Sequence, residues 1–362
     1  MKVYLKFPWK FIDSPYYVNL IKYPPHGVDF YGIPKQKTNV IIVPEIFTIR
    51  NVVKKFLRCV LEHIKLPNIT FTFSNADLIH CGHCLLLNKK PWVVDAEHYW
   101  SFSSSAKISY SETGRTFIEK ILKRKYCKKV LPWSYAAENT IKAVMKNRHV
   151  LNKIEVVYPA VPVPKIRQKK SEPISLLFIG RYFYQKGGLF ALETFKRLRQ
   201  KYDVKCTAIS LTIPQHLKLK YEKFVKIYNS VSDRILFHKI YPSSSIFVYP
   251  GFSDTFGFSL LEAMSFGNPI ITVDAFARKE IVEDGRNGFI LQKPKNLNIY
   301  DINTQGEKLI SAMVKKTALL IENSSLRKKM GREGRRLVEK GKFSLKERNK
   351  KLKNIYEEAT SF

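Results

Sequence analysis

Short apolar runs alternate with helix-spaced stretches along the whole chain. Residues 40–43 form an apolar run closed by Pro44, and residues 51–64 carry Val52, Val53, Phe56, Leu57, Val60 and Ile64 at helical spacing. Residues 77–79, 92–94 and 130–131 read as buried strand ends. A second series starts at 174–179, apolar except for Ser175, as expected of a strand covered on both faces. Further strands are predicted at 204–211, 235–237, 246–249 and 270–273, with helices at 189–201, 215–230 and 258–265 between them. Residues 325–359 are rich in Lys, Arg and Glu with apolar residues at helical spacing, which predicts one or two surface helices. Strands separated by helices predict an α/β fold of parallel, doubly wound sheets.

At 362 residues the chain exceeds one ordinary core and suits two domains. Residues 156–170, with Pro159, Pro162 and Pro164 followed by basic residues, read as the linker. This predicts a first domain at 1–165, a second at 171–340 and a terminal segment at 341–362. The net charge of +33 is shared: residues 1–170 hold 29 basic and 11 acidic side chains, so no single tail accounts for it. Such a field draws anionic bilayers, nucleic acid or phosphate-bearing substrates; a solvated Lys-rich surface accounts for it equally well. Five cysteines form no disulfide framework at this length, which suits a reducing compartment. Lys2, Lys6, Lys10 and Asp13 break any apolar signal segment, and no run approaches 18 apolar residues. The expectation is a cytoplasmic protein whose membrane contact, where present, is peripheral.

Two loops carry candidate chemistry, because ligands in open α/β sheets sit beyond the carboxyl ends of strands. The first runs from the predicted strand through Gly180 and Arg181 to Lys186-Gly187-Gly188. Arg181 offers a planar fork for phosphate oxygens and Lys186 a mobile point charge. Neither G-x-G-x-x-G nor G-x-x-x-x-G-K-[ST] is present, and taken alone the pair suits an ordinary solvated loop. The second loop follows residues 246–249. Asp254 sits on its turn, Gly257 lets backbone approach a ligand, and a helix opening at Phe258 and Ser259 presents free N–H groups to an anion. Glu262 lies one turn into that helix, where a carboxylate reaches ribose hydroxyls.

These residues resemble the E-x7-E signature of the family 4 retaining glycosyltransferases, usually written E-x-F-G-x-x-x-x-E-A-M-A-x-G-x-P. Phe256, Gly257, Glu262, Ala263, Met264, Gly267 and Pro269 match it, and residues 280–288 resemble the segment E-I-V-x-D-G-x-N-G. Arg181 and Lys186 fall where the family keeps a G-R-x(n)-K-G clamp on the diphosphate. The resemblance implies a GT-B fold: two Rossmann-like domains facing across a cleft, and a last helix, residues 345–359, crossing back to the first. It implies a nucleotide-sugar donor (a UDP-, GDP- or ADP-hexose) and a glycan or lipid-linked acceptor. No metal or other cofactor is implied, because Arg181 and Lys186 would stabilise the leaving diphosphate. Asp254 would hold sugar hydroxyls and Glu262 the ribose, with Gly180, Phe256, Gly257, Phe258 and Ser259 completing the donor site. The departure is Asp254, where the family has Glu.

The first half resembles the family less. Residues 77–80 match its D-x-I-H strand, and residues 91–98 its P-x-x-x-x-x-x-H segment, which implies that His98 lies by the donor sugar; a His capping a strand end is the alternative. The glycine-rich loop near the start is missing, and residues 11–31 stand in its place. Ser134 and Glu138 match a strand-to-helix turn. The run His80-Cys81-Gly82-His83-Cys84 lacks the second ligand pair of a zinc site. The basic run 120–129, beside Phe117, Ile118, Ile121 and Leu122, suits a helix on an anionic membrane or one packed on the core. Tyr16, Tyr17, Tyr23 and Tyr31 among lysines would suit base stacking. Two readings compete with the hexosyltransferase: a glucosyltransferase acting on DNA, which the charge favours, and a sugar-nucleotide-binding scaffold without turnover, which Asp254 and the missing glycine loop favour.

Overall fold

The computed structural model describes residues 1–6, 14–32, 66–165 and 173–361. The strand expected at 40–43 and the helix at 51–64 lie outside the described residues. The chain divides into two compact units, Met1–Tyr158 with Arg348–Phe362, and Pro159–Glu347.

The first unit has strands β1 (Lys2–Lys6), β2 (Asp29–Tyr31), β3 (Ile69–Thr70), β4 (Leu78–Gly82), β5 (Leu85–Leu86), β6 (Trp92–Ala96) and β7 (Cys127–Pro132). Five of them form a parallel sheet in the order β2-β1-β4-β6-β7. Every residue of β4 and β6 is buried, His80 and Asp95 included, as in strands covered on both faces. The helix Glu112–Leu122 opens where Ser111 Oγ accepts the Gly114 N–H, and it buries Ile118, Ile121 and Leu122 in the core with Trp92, Val94 and Val130. The helix Tyr135–Val144 is capped in the same way by Ser134, which accepts from the Ala137 N–H at 3.0 Å.

A fully buried polar network closes this unit. Asp95 accepts from the Tyr16 hydroxyl at 3.2 Å, the Tyr17 hydroxyl at 3.0 Å and His80 Nε2 at 2.8 Å. With Nε2 donating, His80 Nδ1 takes the Tyr356 hydroxyl at 2.5 Å. Tyr356 lies on the helix Leu345–Thr360, and Arg348 on the same helix donates to the Tyr23 carbonyl at 2.6 Å. The last helix therefore packs on the first unit, as expected. Its polar anchors explain why a helix so rich in Lys and Glu is held there.

The second unit carries β8 (Ile174–Ile179), β9 (Val204–Ile209), β10 (Lys226–Tyr228), β11 (Ile246–Tyr249), β12 (Ile270–Val273) and β13 (Gly288–Leu291). All are parallel, in the order β10-β9-β8-β11-β12-β13. Helices Gly188–Arg199, Phe258–Ser265, Thr304–Glu322 and Ser324–Glu339 bury their apolar faces in this unit.

Four sequence expectations are corrected. Residues 235–237 are helical turns, not a strand: Ser232 Oγ accepts the Ile235 N–H, and none of residues 233–240 is buried. The edge strand is instead β10, inside what read as one helix over 215–230; that helix stops at Tyr221. A three-residue apolar run cannot separate strand from turn, and packing decided both. The basic run 120–129 is no single helix, because the helix ends at Leu122 and β7 begins at Cys127; its apolar side packs on the core. Tyr16 and Tyr17 are fully buried, which removes them as base-stacking platforms.

Candidate functional site

In the second unit the chain winds from β8 outward through β9 and β10, then returns to β11 on the other side of β8. The crevice beyond the carboxyl ends of β8 and β11 is therefore the topological switch point, where open α/β sheets bind ligands. The loops leaving these two strands are the two singled out in the sequence. Their backbones are joined: the Gly251 N–H donates to the Lys186 carbonyl and the Ser253 N–H to the Gln185 carbonyl, each at 3.0 Å.

Gly180 is buried beneath Lys186, and a Cβ there would lie 2.5 Å from the Lys186 Cβ. Lys186 Nζ sits 2.9 Å from Asp254 Oδ1 and donates to the Ser253 carbonyl at 3.2 Å. Asp254 Oδ2 accepts from the Tyr249 hydroxyl at 2.6 Å and from Arg278 Nη2 at 3.1 Å. Burial pushes the Asp254 carboxyl up, but Arg278, Lys186 and the Tyr249 hydroxyl outweigh it and hold the group below its ordinary value. Burial and then Asp254 push the Tyr249 phenol far upward, so it stays a donor. Gly257 takes φ +102°, in the left-handed region that favours glycine, and stands immediately before the helix Phe258–Ser265. The N–H groups of that first turn stand at the end of the loop, an arrangement suited to an anion.

The remaining predicted residues fall around this cluster or apart from it. Phe256 is buried, and its ring lies 5.4 Å from that of Phe258. Ser259 is the second residue of the helix Phe258–Ser265. Arg181 is exposed on the first loop, its guanidinium 5.8 Å from the centroid of Tyr182. Glu262 pairs with a different group, accepting from the Tyr241 hydroxyl at 2.8 Å; burial pushes its carboxyl up to about 7, with the Tyr241 bond pulling the other way. His98 belongs to the first unit, where it accepts the Trp100 N–H at the start of a short helical turn, and burial holds its imidazole below the ordinary value. A cavity of about 480 Å³ in the second unit, lined by Tyr184, Glu193, His216, Lys220, Tyr300 and Glu307 among others, includes none of the predicted residues. Among the described residues, no three His, Cys, Asp or Glu side chains group as metal ligands, and no helix is long and apolar enough to cross a membrane.

Sequence reasoning missed Arg278, Tyr249 and Tyr241. Arg278 is fully buried, a rare state for Arg, and it enters the cluster from the turn after β12. The readable signal was an Arg in the otherwise small and apolar stretch Ala275-Phe276-Ala277, at the carboxyl end of a predicted core strand. Tyr249 was visible as the last residue of a predicted strand, where a polar tip reaches the loop layer. Tyr241 lies beside the residues misread as a strand.

Residues 173–300 match the family described as glycosyl transferases group 1. The capsular polysaccharide biosynthesis glycosyltransferase CapM of Staphylococcus aureus is 29% identical over 187 residues, 49% of this chain and 44% of CapM. An uncharacterised glycosyltransferase of Methanocaldococcus jannaschii is 25% identical over 343 residues, 87% of this chain and 80% of the relative. The chain thus spans under half of CapM and four fifths of the archaeal protein. Sucrose-phosphate synthase of Thermosynechococcus elongatus superposes with a TM-score of 0.66 at 14% identity, covering 99% of this chain and 98% of that one. HepE of Anabaena does so with a TM-score of 0.64 at 14% identity, covering all of both chains. These likenesses establish the GT-B fold, and residues 173–300 carry the group 1 glycosyltransferase pattern upon it.

Proposed function

We propose that the chain is a retaining glycosyltransferase moving a hexose from a nucleotide sugar to a glycan or lipid-linked acceptor. One observation carries the reading: a lysine, a carboxylate and a helix N-terminus meet at the switch point of the second sheet. An ammonium group, exposed Arg181 and the N–H groups of the helix start supply the positive field that a departing nucleoside diphosphate needs. Lys186 and Arg181 take that role here without a resident metal. Glu262 would accept from ribose hydroxyls, and Asp254, beside the lysine, would meet the donor sugar next to the diphosphate. The structures of HepE with UDP-glucose and of the pneumococcal O-GlcNAc transferase GtfA with UDP and GlcNAc make UDP-hexoses the first donors to test. The catalytic part of His98 rests on the resemblance of its segment. Attachment of the basic protein to an anionic membrane is part of this reading, with a lipid-linked acceptor held there.

The test is a thermal-shift screen of UDP-, GDP- and ADP-sugars, followed by transfer assays in EDTA. One nucleotide class should raise the melting temperature, and transfer should continue in EDTA with retention of anomeric configuration. Lys186→Ala and Glu262→Ala should each lower kcat/KM by at least tenfold; wild-type rates in both would show that the site is wrongly assigned. Salt-sensitive duplex binding with sugar incorporation would replace the acceptor by DNA. Stabilisation by nucleotide without turnover on any acceptor would favour the scaffold.

A further inference from the structure

We propose that Arg278 is the positioning residue of the donor loop, fixing Asp254 and, through Asp254, the ammonium group of Lys186. The inference rests on the functional reading above and adds to it a residue that touches no donor atom itself.

Arg278 is fully buried and follows β12, the neighbour of β11. From there its guanidinium enters the loop that leaves β11. Nη1 donates to the Phe256 carbonyl at 2.5 Å and Nη2 to the Gly251 carbonyl at 3.3 Å, so one side chain ties both ends of the turn. Nη2 also meets Asp254 at 3.1 Å, between those two anchors. The guanidinium carbon lies 5.4 Å from the centroid of the Tyr249 ring, whose hydroxyl donates to the same Asp254 oxygen. The loop backbone is wrapped closely around this group. A Cβ on Gly251 would lie 2.7 Å from Nη2, and one on Gly257 would lie 2.8 Å from Nη1.

The charge count explains what the residue does. Asp254 is shared by two cations, Lys186 on Oδ1 and Arg278 on Oδ2. With Arg278 in place, the carboxylate is fixed and the cluster keeps one net positive charge toward the loop layer. Without it, Asp254 and Lys186 form a neutral one-to-one pair, Oδ2 keeps only the Tyr249 hydroxyl as partner, and a diphosphate must compete for the lysine. A planar fork held at two carbonyls and a carboxylate is work for which Lys is a poor substitute. Aspartate suits this position because a carboxylate on a short side chain stays inside the loop where Arg278 reaches it.

The experiment compares wild type, Arg278→Lys, Arg278→Met, Asp254→Asn and the double variant Arg278→Lys/Asp254→Asn. It measures UDP and UDP-sugar affinity by calorimetry, turnover, and melting temperature. Arg278→Lys should fold, lose at least tenfold in nucleotide affinity and lower kcat, with Arg278→Met losing more. In the Asp254→Asn background, Arg278→Lys should change affinity less than threefold, because the group it positions is gone. A folded Arg278→Lys or Arg278→Met with nucleotide affinity and kcat within twofold of wild type, whatever its melting temperature, would overturn the inference. Should Arg278→Met fail to fold, Arg278→Lys and the double variant decide alone. If the wild type binds no nucleotide or nucleotide sugar, the functional reading fails and the inference falls with it; binding in wild type with unchanged variants sinks the inference only.

Discussion

Replacing Glu262 with Gln should stabilise the protein above neutral pH while weakening donor binding. Glu262 is pushed from 4.5 up to about 7, chiefly by burial. A carboxyl raised in this way favours the folded state only when protonated, so its contribution is full below about pH 4.5 and lost as pH passes about 7. At about 1.4 kcal/mol per pKa unit the ceiling is about 3 kcal/mol, and solvent at the partly exposed carboxylate reduces it to about 1–2 kcal/mol. Gln keeps an acceptor for the Tyr241 hydroxyl, which now donates at 2.8 Å, and carries no charge. Melting curves between pH 4 and 8.5 should therefore diverge, with Glu262→Gln higher by about 2–8 °C at the alkaline end and level with wild type at the acid end. Donor affinity should move in the opposite sense. The ionised carboxylate accepts from ribose hydroxyls more strongly than the protonated acid, so wild-type affinity should rise by up to about tenfold from pH 6 to pH 8, with proton release seen in buffers of different ionisation enthalpy. In the Gln variant affinity should be lower and flat. Parallel melting profiles for the two proteins across that window would refute the reasoning.

Gly257→Ala should cost about 1–3 kcal/mol, because φ is +102° and the new Cβ would lie 2.8 Å from Arg278 Nη1; urea unfolding measures it, and an unchanged midpoint contradicts it. Asp95→Asn should lower stability by about 2–4 kcal/mol, since it alters the acceptor of Tyr16, Tyr17 and His80. Tyr356→Phe removes only the bond to His80 and should cost about 1–2 kcal/mol, a smaller loss in the same assay. Ser134→Ala should cost about 1 kcal/mol by uncapping the helix Tyr135–Val144.

Much of the second unit could be read from the chain alone. The strands at 174–179, 246–249 and 270–273 and the helix at 258–265 coincide with the folded elements, because each is an apolar run bounded by Gly, Pro or Ser that leaves little local choice. Gly257, Lys186 and Asp254 were legible as candidates because each stands in a loop after a strand or before a helix, whereas Glu262 lies one turn into the helix. Residues 226–228, read within a helix, and 235–237, read as a strand, were misread because three-residue runs do not separate helix, strand and turn, and the sheet edge at β9 took the first of them.

Sequence by itself determined the alternation of elements, the basic character and the two loops that hold the candidate site. Tertiary structure alone decided that those loops leave adjacent strands, since strand order is set by packing between segments some 70 residues apart. It also decided the state of Asp254. Read along the chain, this residue is a lone acid on a turn. In the fold it lies between Lys186 and Arg278, 68 positions before it and 24 after it. Such charge pairing depends on distance through space, which local propensity and motif spacing do not encode.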